Sequence, residues 1–400
     1  MFVPRSSFTR RHFFLGAASI AFWNPLSGVL RAESSKATAS IVSVDRGRIL
    51  RAANGYLNAA PITVTSTHCP RSAGGLHDYY TEAEDWWPDA DRPGGPYIRQ
   101  AGFANPDRFH AHSEALIRLS LIVPALTAAW MLTGRQRYAE QAAAHLRAWF
   151  IDPLSRMNPN LQYTDSIFGV AQGRASGIID TIQLVETARA ASFLLDGGIF
   201  SLQDHVALRG WFHDYLQWLT TSTNGLAARD AQDLHGCSWA MQVAEFARFT
   251  ADSGLQQLCR DRFLTVLLPN QIAADGHLPF AVAGHNPYGA SLFTLDMLST
   301  TAQILTTQDD NLFAFQLPDG RGLRSATAYM QPFIADKKLW PFPYDAAFFD
   351  DLPVRPPSLL FAGLAYKEPS YIALWKTLNP DPRAIELLRT NPIRQPILWI

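Results

Sequence analysis

The stretch from Ser113 to Phe150, SEALIRLSLIVPALTAAWMLTGRQRYAEQAAAHLRAWF, decides the fold. Apolar residues recur at helical spacing from 113 to 133, a glycine ends the run at 134, and the pattern resumes from 136 to 150. Because the connection between the two runs is so short, they are predicted to form an antiparallel helical hairpin.

The same helical spacing continues through the rest of the chain. Further helices are predicted at 178–195, 201–221, 238–250, 255–268, 291–306, 323–334 and 370–378. Strand signals are few, and the best of them covers 62–67. Paired helices without intervening strands favour an all-α domain of stacked hairpins. No repeat is visible in the sequence, which disfavours a solenoid of similar units.

Four long segments between the predicted helices are rich in Gly, Pro, Asn, His and aromatic residues. They cover 68–110, 151–174, 224–236 and 270–290. Long irregular segments in a compact helical body often carry function. We expect them to gather at one end of a helical barrel and to line a cleft. The alternative is that they only cover the core.

The first residues carry the parts of an export signal. Arg10 and Arg11 precede a short apolar run, Phe13 to Trp23, and small residues follow. The run is shorter than the roughly 20 apolar residues that a membrane span needs. We expect a twin-arginine signal at 1–32, a single mature domain at 33–400 without a membrane span, and delivery to the periplasm or beyond by the twin-arginine export machinery. The alternative is a disordered basic tail.

Composition narrows the class of protein. Hydrophobic residues make up 48% and charged residues 17%, which is typical of a globular protein. The formal net charge is -1, so the chain has no overall excess of positive charge that would attract nucleic acid. The three cysteines are scattered and odd in number, so a disulfide framework is not expected. No metal-ligand spacing is present, and neither a metal nor another cofactor is expected.

A set of motifs then appears in order between about residues 60 and 345. They include SAGGLHDYY at 72–80, DWWPD at 85–89, GPYIR at 95–99, LRAWF at 146–150, MNPNL at 157–161 and GIIDT at 177–181. This ordered set resembles the alginate lyase family, and the chain looks closer to a wider group with glucuronan-active relatives. The resemblance implies an (α/α) toroid and a polysaccharide lyase that acts on uronic-acid polymers.

Such a lyase would cleave its substrate by β-elimination next to a uronate carboxylate. One group must neutralise the carboxylate so that the C5 proton becomes acidic, a base must remove that proton, and an acid must protonate the departing O4. Cationic or neutral donors can bind the carboxylate, so the reaction needs no metal.

The family's catalytic pair is an Asn-His step followed downstream by a Tyr. The resemblance places His235 on the family's His, as base or carboxylate neutraliser. Leu234 stands where the family carries Asn, and it cannot supply an amide donor. Asp233 is a poor replacement because a carboxylate repels the substrate, whereas Gln232 could supply an amide. The alternative for His235 is a loop histidine that satisfies backbone groups.

The downstream match departs from the family at the segment GHNPYGA, 284–290. Ungapped alignment places Gly284 at the family's Arg and Ala290 at its Tyr. Tyr288, two residues away in a Pro-Tyr-Gly turn, is a candidate acid or base, with stacking or packing as the alternative. His285 is a further candidate that could replace the missing cation or act as a base, with loop capping as the alternative.

Substrate-binding candidates lie in the other segments. A planar guanidinium suits a carboxylate, although Arg174 could instead form a structural ion pair. The aromatic candidates could stack on sugar rings, form a mobile lid or pack in the core, and the polar ones could contact sugar or only fix a loop. The candidates are Arg174, Trp86, Trp87, Tyr80, Arg99, Gln162, Tyr163 and Asn105.

The departures at the site leave two other functions open. A glycoside hydrolase would need two carboxylates across the cleft, and Asp165, Asp180, Asp233 and Asp275 are the acids available in loops or at their edges. A carbohydrate-binding relative that has lost catalysis is the second alternative. The leading hypothesis remains a lyase with an anionic polysaccharide or oligosaccharide as its substrate.

Overall fold

The computed structural model describes residues 25–101 and 103–400, and side-chain surroundings from Thr38 onwards. The predicted signal's paired arginines and its apolar run at 13–23 lie outside the described residues. The α-helices, numbered in chain order, are α1 (Pro25–Tyr56), α2 (Ala111–Thr133), α3 (Gln136–Phe150), α4 (Leu184–Asp196), α5 (Leu202–Thr221), α6 (Thr223–Asp230), α7 (Leu234–Thr250), α8 (Ser253–Arg262), α9 (Leu268–Gln271), α10 (Pro279–Val282), α11 (Pro287–Leu305), α12 (Leu323–Ala335), α13 (Pro357–Ala365), α14 (Pro369–Thr377) and α15 (Ile385–Thr390).

Strands are few and short in the described residues. They are β1 (Tyr80–Glu82), β2 (Trp86–Trp87), β3 (Ile98–Arg99) and β4 (Tyr163–Ser166). β1 pairs with β4 in parallel, and β2 pairs with β3 antiparallel. The strand predicted at 62–67 is wrong, because Val64–Ser66 forms a 3₁₀ turn. The Thr63 side chain caps that turn by accepting the Thr65 N–H, a local bond that competes with an extended conformation.

The helices form a toroid of hairpins around an inner ring. In the inner ring α2 packs on α4, α4 on α7, α7 on α11 and α11 on α13. The intervening helices α3, α5, α8, α12 and α14 return the chain along the outside. Since each returning helix reverses the direction, the inner helices run the same way and present their N-terminal ends on one face. The predicted all-α toroid is confirmed.

The inner helices are apolar around most of their circumference because both sides of the ring are covered. In α2 the side chains Leu116, Leu119, Val123 and Leu126 are all buried. α2 is also the one described helix that is long and apolar enough to cross a membrane, and 72% of its most apolar window is buried within the toroid. Gly134 ends it in the left-handed conformation, with φ of 66°.

The C-terminal segment closes the ring by binding one buried carboxylate. Glu186 of α4 accepts the N–H groups of Arg394 and Gln395 at 3.0 and 2.8 Å, and the indole N–H of Trp399 at 3.0 Å. Burial raises the pKa of Glu186. The Arg189 guanidinium, one turn along α4, lies 4.3 Å from the centre of the Trp399 ring. The end of the chain is therefore tied to the inner ring.

Three helix boundaries differ from the prediction where the chain enters the inner ring. The helix predicted at 178–195 is a 3₁₀ segment, Ala175–Thr181, followed by α4. α7 begins at Leu234, four residues early, because the Asp233 side chain caps it. α11 begins at Pro287, and the Asp345 carboxylate accepts the N–H groups of its first turn. His235 and Tyr288, both predicted in loops, therefore lie in first helical turns.

Candidate active site at the N-terminal ends of the inner helices

The irregular segments meet on the face formed by the inner helix N-termini, and hydrogen bonds join them there. The Asp165 N–H donates to Thr81 Oγ1 at 3.0 Å, and the Tyr97 N–H donates to the Phe168 carbonyl at 3.0 Å. Between the segments that precede α7 and α10, the buried Gln271 side chain donates to the Gln232 carbonyl at 2.7 Å. The segment 224–236 is not a continuous loop, because α6 occupies 223–230.

His235 forms a pair with Asp233 in the first turn of α7. Its Nδ1 lies 2.8 Å from Asp233 Oδ1, which also accepts the His235 backbone N–H at 3.0 Å. The bond from His235 lowers the pKa of Asp233, so the carboxylate is the acceptor and Nδ1 carries the proton. Nε2 then has a free lone pair, and no described residue bonds to it. The side chain is 25% exposed, so a substrate can reach it.

The pairing explains two residues that depart from the family pattern. Asp233 does not replace the missing amide, because its carboxylate caps α7 and orients His235. Leu234, at the position of the family's Asn, is half-buried and packs against the core. The chain therefore lacks an amide donor at position 234, but the Asp233 carboxylate still orients the His235 ring.

Arg174 begins the 3₁₀ segment that packs beside α7. Its Nη2 lies 2.6 Å from Asp165 Oδ2, and its Nε donates to the Asp165 carbonyl at 3.0 Å. The segment is tied to α7 because Gln242 Nε2 donates to the Ile178 carbonyl at 2.9 Å. Arg174 is partly exposed, and the segment that it begins contacts α7, which carries His235 in its first turn. Asp165 has a φ of 54°, a strained conformation that the bonds from Arg174 help to hold.

Trp86, Trp87 and Arg99 lie on the β2–β3 hairpin at the edge of this face. Both tryptophans are half-buried, and the Trp87 indole N–H donates to the Phe103 carbonyl at 2.9 Å. Arg99 is exposed and its Nε donates to Asp85 at 2.6 Å. The hairpin therefore offers partly exposed aromatic rings and, in Arg99, an accessible cation.

Gln162 and Tyr163 stand where β4 begins. Gln162 is exposed and Tyr163 is half-buried. A Cβ on Gly74 would lie 2.7 Å from the Tyr163 ring, and one on Gly173 would lie 2.1 Å from the Gln162 carbonyl oxygen. Gly74 and Gly173 are therefore needed at these positions, because a larger residue would collide with Tyr163 or Gln162.

Tyr80 and Asn105 are not available to a substrate in this structure, contrary to the prediction. Tyr80 is buried, and its hydroxyl donates to Glu82 at 2.8 Å. Asn105 is also buried, and its side chain donates to the Trp86 carbonyl and accepts the Asp107 N–H. Both residues position the loop that carries the tryptophan pair.

Tyr288 is likewise placed for packing and not for proton transfer. It is fully buried, its hydroxyl donates to the Phe333 carbonyl at 2.9 Å, and its ring packs edge-on against Trp340 and Phe349. Burial raises the pKa of its hydroxyl. Of the downstream candidates, His285 is exposed, on the loop before α11. The roles predicted for Tyr288 do not fit this placement.

One charged residue of the site face has no signal in the sequence. Arg389 of α15 forms an ion pair with Glu84, and its Nε lies 3.7 Å from the buried Asp180. It reaches the face from the C-terminal region, about 300 residues from Glu84. Only the closure of the ring brings these two residues together.

Comparisons with known proteins agree with this architecture. The family model described as alginate lyase matches residues 63–340. The crystal structure of an alginate lyase from Bacteroides ovatus is 25% identical, covers 93% of this chain and 97% of its own, and superposes with a TM-score of 0.77. A search of curated proteins finds no match.

Two variants of alginate lyase A1-III from Sphingomonas species A1, both complexed with tetrasaccharide, share the fold. The histidine-to-alanine variant is 14% identical, covers 76% of this chain and 79% of its own, and has a TM-score of 0.51. The tyrosine-to-phenylalanine variant is 16% identical, with coverage of 81% and 86% and a TM-score of 0.50. With the family model matching well over half of its length, the chain belongs to the alginate lyase family and is a polysaccharide lyase.

Proposed function

We propose that the protein is an exported lyase that cleaves a uronic-acid polysaccharide of the alginate or glucuronan type by metal-independent β-elimination. One observation carries the proposal. His235 has its Nδ1 bound to Asp233 and its Nε2 unbonded among the described residues, and the 3₁₀ segment that Arg174 begins contacts α7, whose first turn carries His235. An imidazole with an open Nε2 can act as the base, and a guanidinium can bind the carboxylate next to the proton that is removed.

The proposed reaction divides the work between these two residues. Arg174 keeps its Nε and Nη2 on Asp165, and its Nη1, which bonds to no described residue, binds the uronate carboxylate and offsets the negative charge that develops when C5 loses its proton. His235 Nε2 accepts that proton, and Asp233 stabilises the resulting imidazolium. The C5–H electron pair forms the C4–C5 double bond, the C4–O4 bond breaks, and the imidazolium returns the proton to O4. The products are one chain that ends in an unsaturated uronate and one chain with a new reducing end.

The carboxylates that a hydrolase would need are already engaged in the structure. Asp165 is paired with Arg174, and Asp180 accepts the Thr81 hydroxyl at 2.6 Å. Asp233 and Asp275 each bind the histidine two residues later, at 2.8 and 2.6 Å. A hydrolytic pair needs one free base and one free acid across the scissile bond, and these four carboxylates favour the lyase instead.

A polymer screen tests the proposal. Polymannuronate, polyguluronate, polyglucuronate and a neutral glucan are incubated with the protein, and ultraviolet absorbance of unsaturated uronate is followed beside reducing ends. We expect both signals to rise together on at least one uronate polymer and neither on the glucan. Reducing ends without absorbance would indicate a hydrolase. Oligosaccharide binding without either signal would indicate a relative that binds but does not cleave.

The export part of the proposal rests on the paired arginines and agrees with one feature of the fold. Cys69, Cys237 and Cys259 are free and buried, so the fold requires no oxidising compartment.

Replacing Arg10 and Arg11 together by lysine is expected to block export while the protein remains folded. Fractionation followed by immunodetection should find the variant in the cytoplasm and the parent protein outside it. Unchanged export of the double variant would contradict the twin-arginine route, and polymer cleavage by cytoplasmic extract serves as the control for folding.

A further inference from the structure

A stacked aromatic pair with one exposed ring, Tyr344, lies on the segment that follows the family-matched region. Tyr344 is 57% exposed, and its ring stacks on Phe349 with centroids 4.1 Å apart and an angle of 15° between the planes. The family model ends at residue 340, so this pair lies in the chain's own sequence between α12 and α13. A large aromatic ring that is both stacked and open to solvent is available to a ligand.

The segment is held in place by two charged side chains. The Lys337 ammonium donates to the carbonyls of Phe349, Asp350 and Leu352 at 2.8, 2.8 and 3.0 Å, and lies 5.1 Å from the centre of the Phe349 ring. The Asp345 carboxylate accepts two N–H groups of α11 at 2.7 Å each. The exposed ring is therefore presented by an ordered support, so little conformational freedom is lost when a ligand binds.

The same segment is continuous with the candidate active site. The Ala346 N–H donates to the His285 carbonyl at 3.3 Å, which places the segment against the loop before α11. α11 is the inner helix next to α7, whose first turn carries His235. A polysaccharide that is bound at His235 and extends towards α11 would therefore reach this segment.

We propose that Tyr344 forms a distal sugar-binding subsite, in which its open face stacks on the apolar ring face of a uronate residue away from the bond that is cleaved. The inference rests on the proposed function, since it takes a uronate polymer as the occupant. Exposed Asp350 and Asp351 lie nearby, and Lys337 is occupied by carbonyls. The contact is therefore with the C–H face of the sugar, and the carboxylate points to solvent.

The test compares three changes at one position with a neighbouring control. Tyr344→Ala and Tyr344→Leu remove the planar ring, Tyr344→Phe retains it, and Leu339→Ala removes a side chain that is 59% exposed on the preceding turn. We expect KM for long polymer to rise about tenfold in the first two variants, which corresponds to about 1.4 kcal/mol. KM for trisaccharide, and kcat on either substrate, should stay unchanged.

Retention of the parent KM for polymer by both Tyr344→Ala and Tyr344→Leu would overturn the subsite, as would an equal rise in Leu339→Ala. Calorimetric titration with the same polymers keeps the test separate from catalysis. If the parent protein binds polymer but cleaves none, the proposed function fails, and the subsite still stands only if the ring-removing variants bind about tenfold more weakly. If the parent protein binds no uronate polymer, both proposals fail.

Discussion

The His235→Ala variant is expected to lose between about a hundredfold and ten-thousandfold of kcat on the polymer that the parent protein cleaves, because one group is proposed to remove and return the proton. Binding should persist, since the Arg174 guanidinium and the β2–β3 hairpin are untouched. Initial rates at saturating polymer, followed by absorbance of the unsaturated product, measure the loss. Calorimetric titration with an oligosaccharide measures the binding.

His277 supplies a matched control for this experiment. It repeats the arrangement of His235, with Nδ1 2.6 Å from the carboxylate two residues earlier and a side chain that is 26% exposed. Its ring, however, lies near Tyr329 and Phe342 on the side of the outer helix α12. His277→Ala should therefore keep kcat within about threefold of the parent value, a range set by ordinary surface substitutions. Equal losses in both variants would contradict the assignment of His235.

The largest effect on stability is expected for Glu186→Ala. The change removes the acceptor of three donors on the C-terminal segment and the negative charge that offsets the buried Arg394 guanidinium. Unsatisfied buried donors and an uncompensated charge should lower the free energy of unfolding by about 3 to 5 kcal/mol. Guanidinium chloride unfolding followed by tryptophan fluorescence measures the difference.

Two further variants show whether the loss of stability comes from the broken bonds to the C-terminal segment or from the replacement of a helical glutamate by alanine. Glu140→Ala, on the exposed face of α3, makes the same change in a helix and should alter stability by less than about 0.5 kcal/mol. Trp399→Phe removes one of the three donors and keeps an aromatic ring, so its effect should be intermediate. A Glu186→Ala variant as stable as Glu140→Ala would show that the C-terminal segment is held by packing alone.

The architecture could be predicted from the sequence because its signals are local. The α2–α3 hairpin is found within two residues of its predicted bounds, since apolar spacing and Gly134 act within single turns. The start of α11 was missed because its cap, Asp345, lies 57 residues further along the chain. Asp233, by contrast, lies directly before α7 and caps it, so the start of this helix is predictable from the local sequence.

The site was predictable only where a side chain is defined by its neighbours in sequence. His235 and Arg174 both bind carboxylates that are close in sequence, Asp233 two residues earlier and Asp165 nine residues earlier. Tyr288 could not be excluded from the sequence, because the groups that bury it come from α12 and the segment after it. A residue's access to substrate depends on packing across the fold, which local patterns do not contain.

The attachment of the last residues to Glu186 also sets the order of events during synthesis. α4 emerges from the ribosome some 200 residues before its partners Arg394, Gln395 and Trp399. The gap beside α1 and α2, which the turn at 396–398 covers, therefore stays open until residues 394–399 have been synthesised. A nascent chain stalled short of Trp399 therefore presents this open gap to chaperones and proteases.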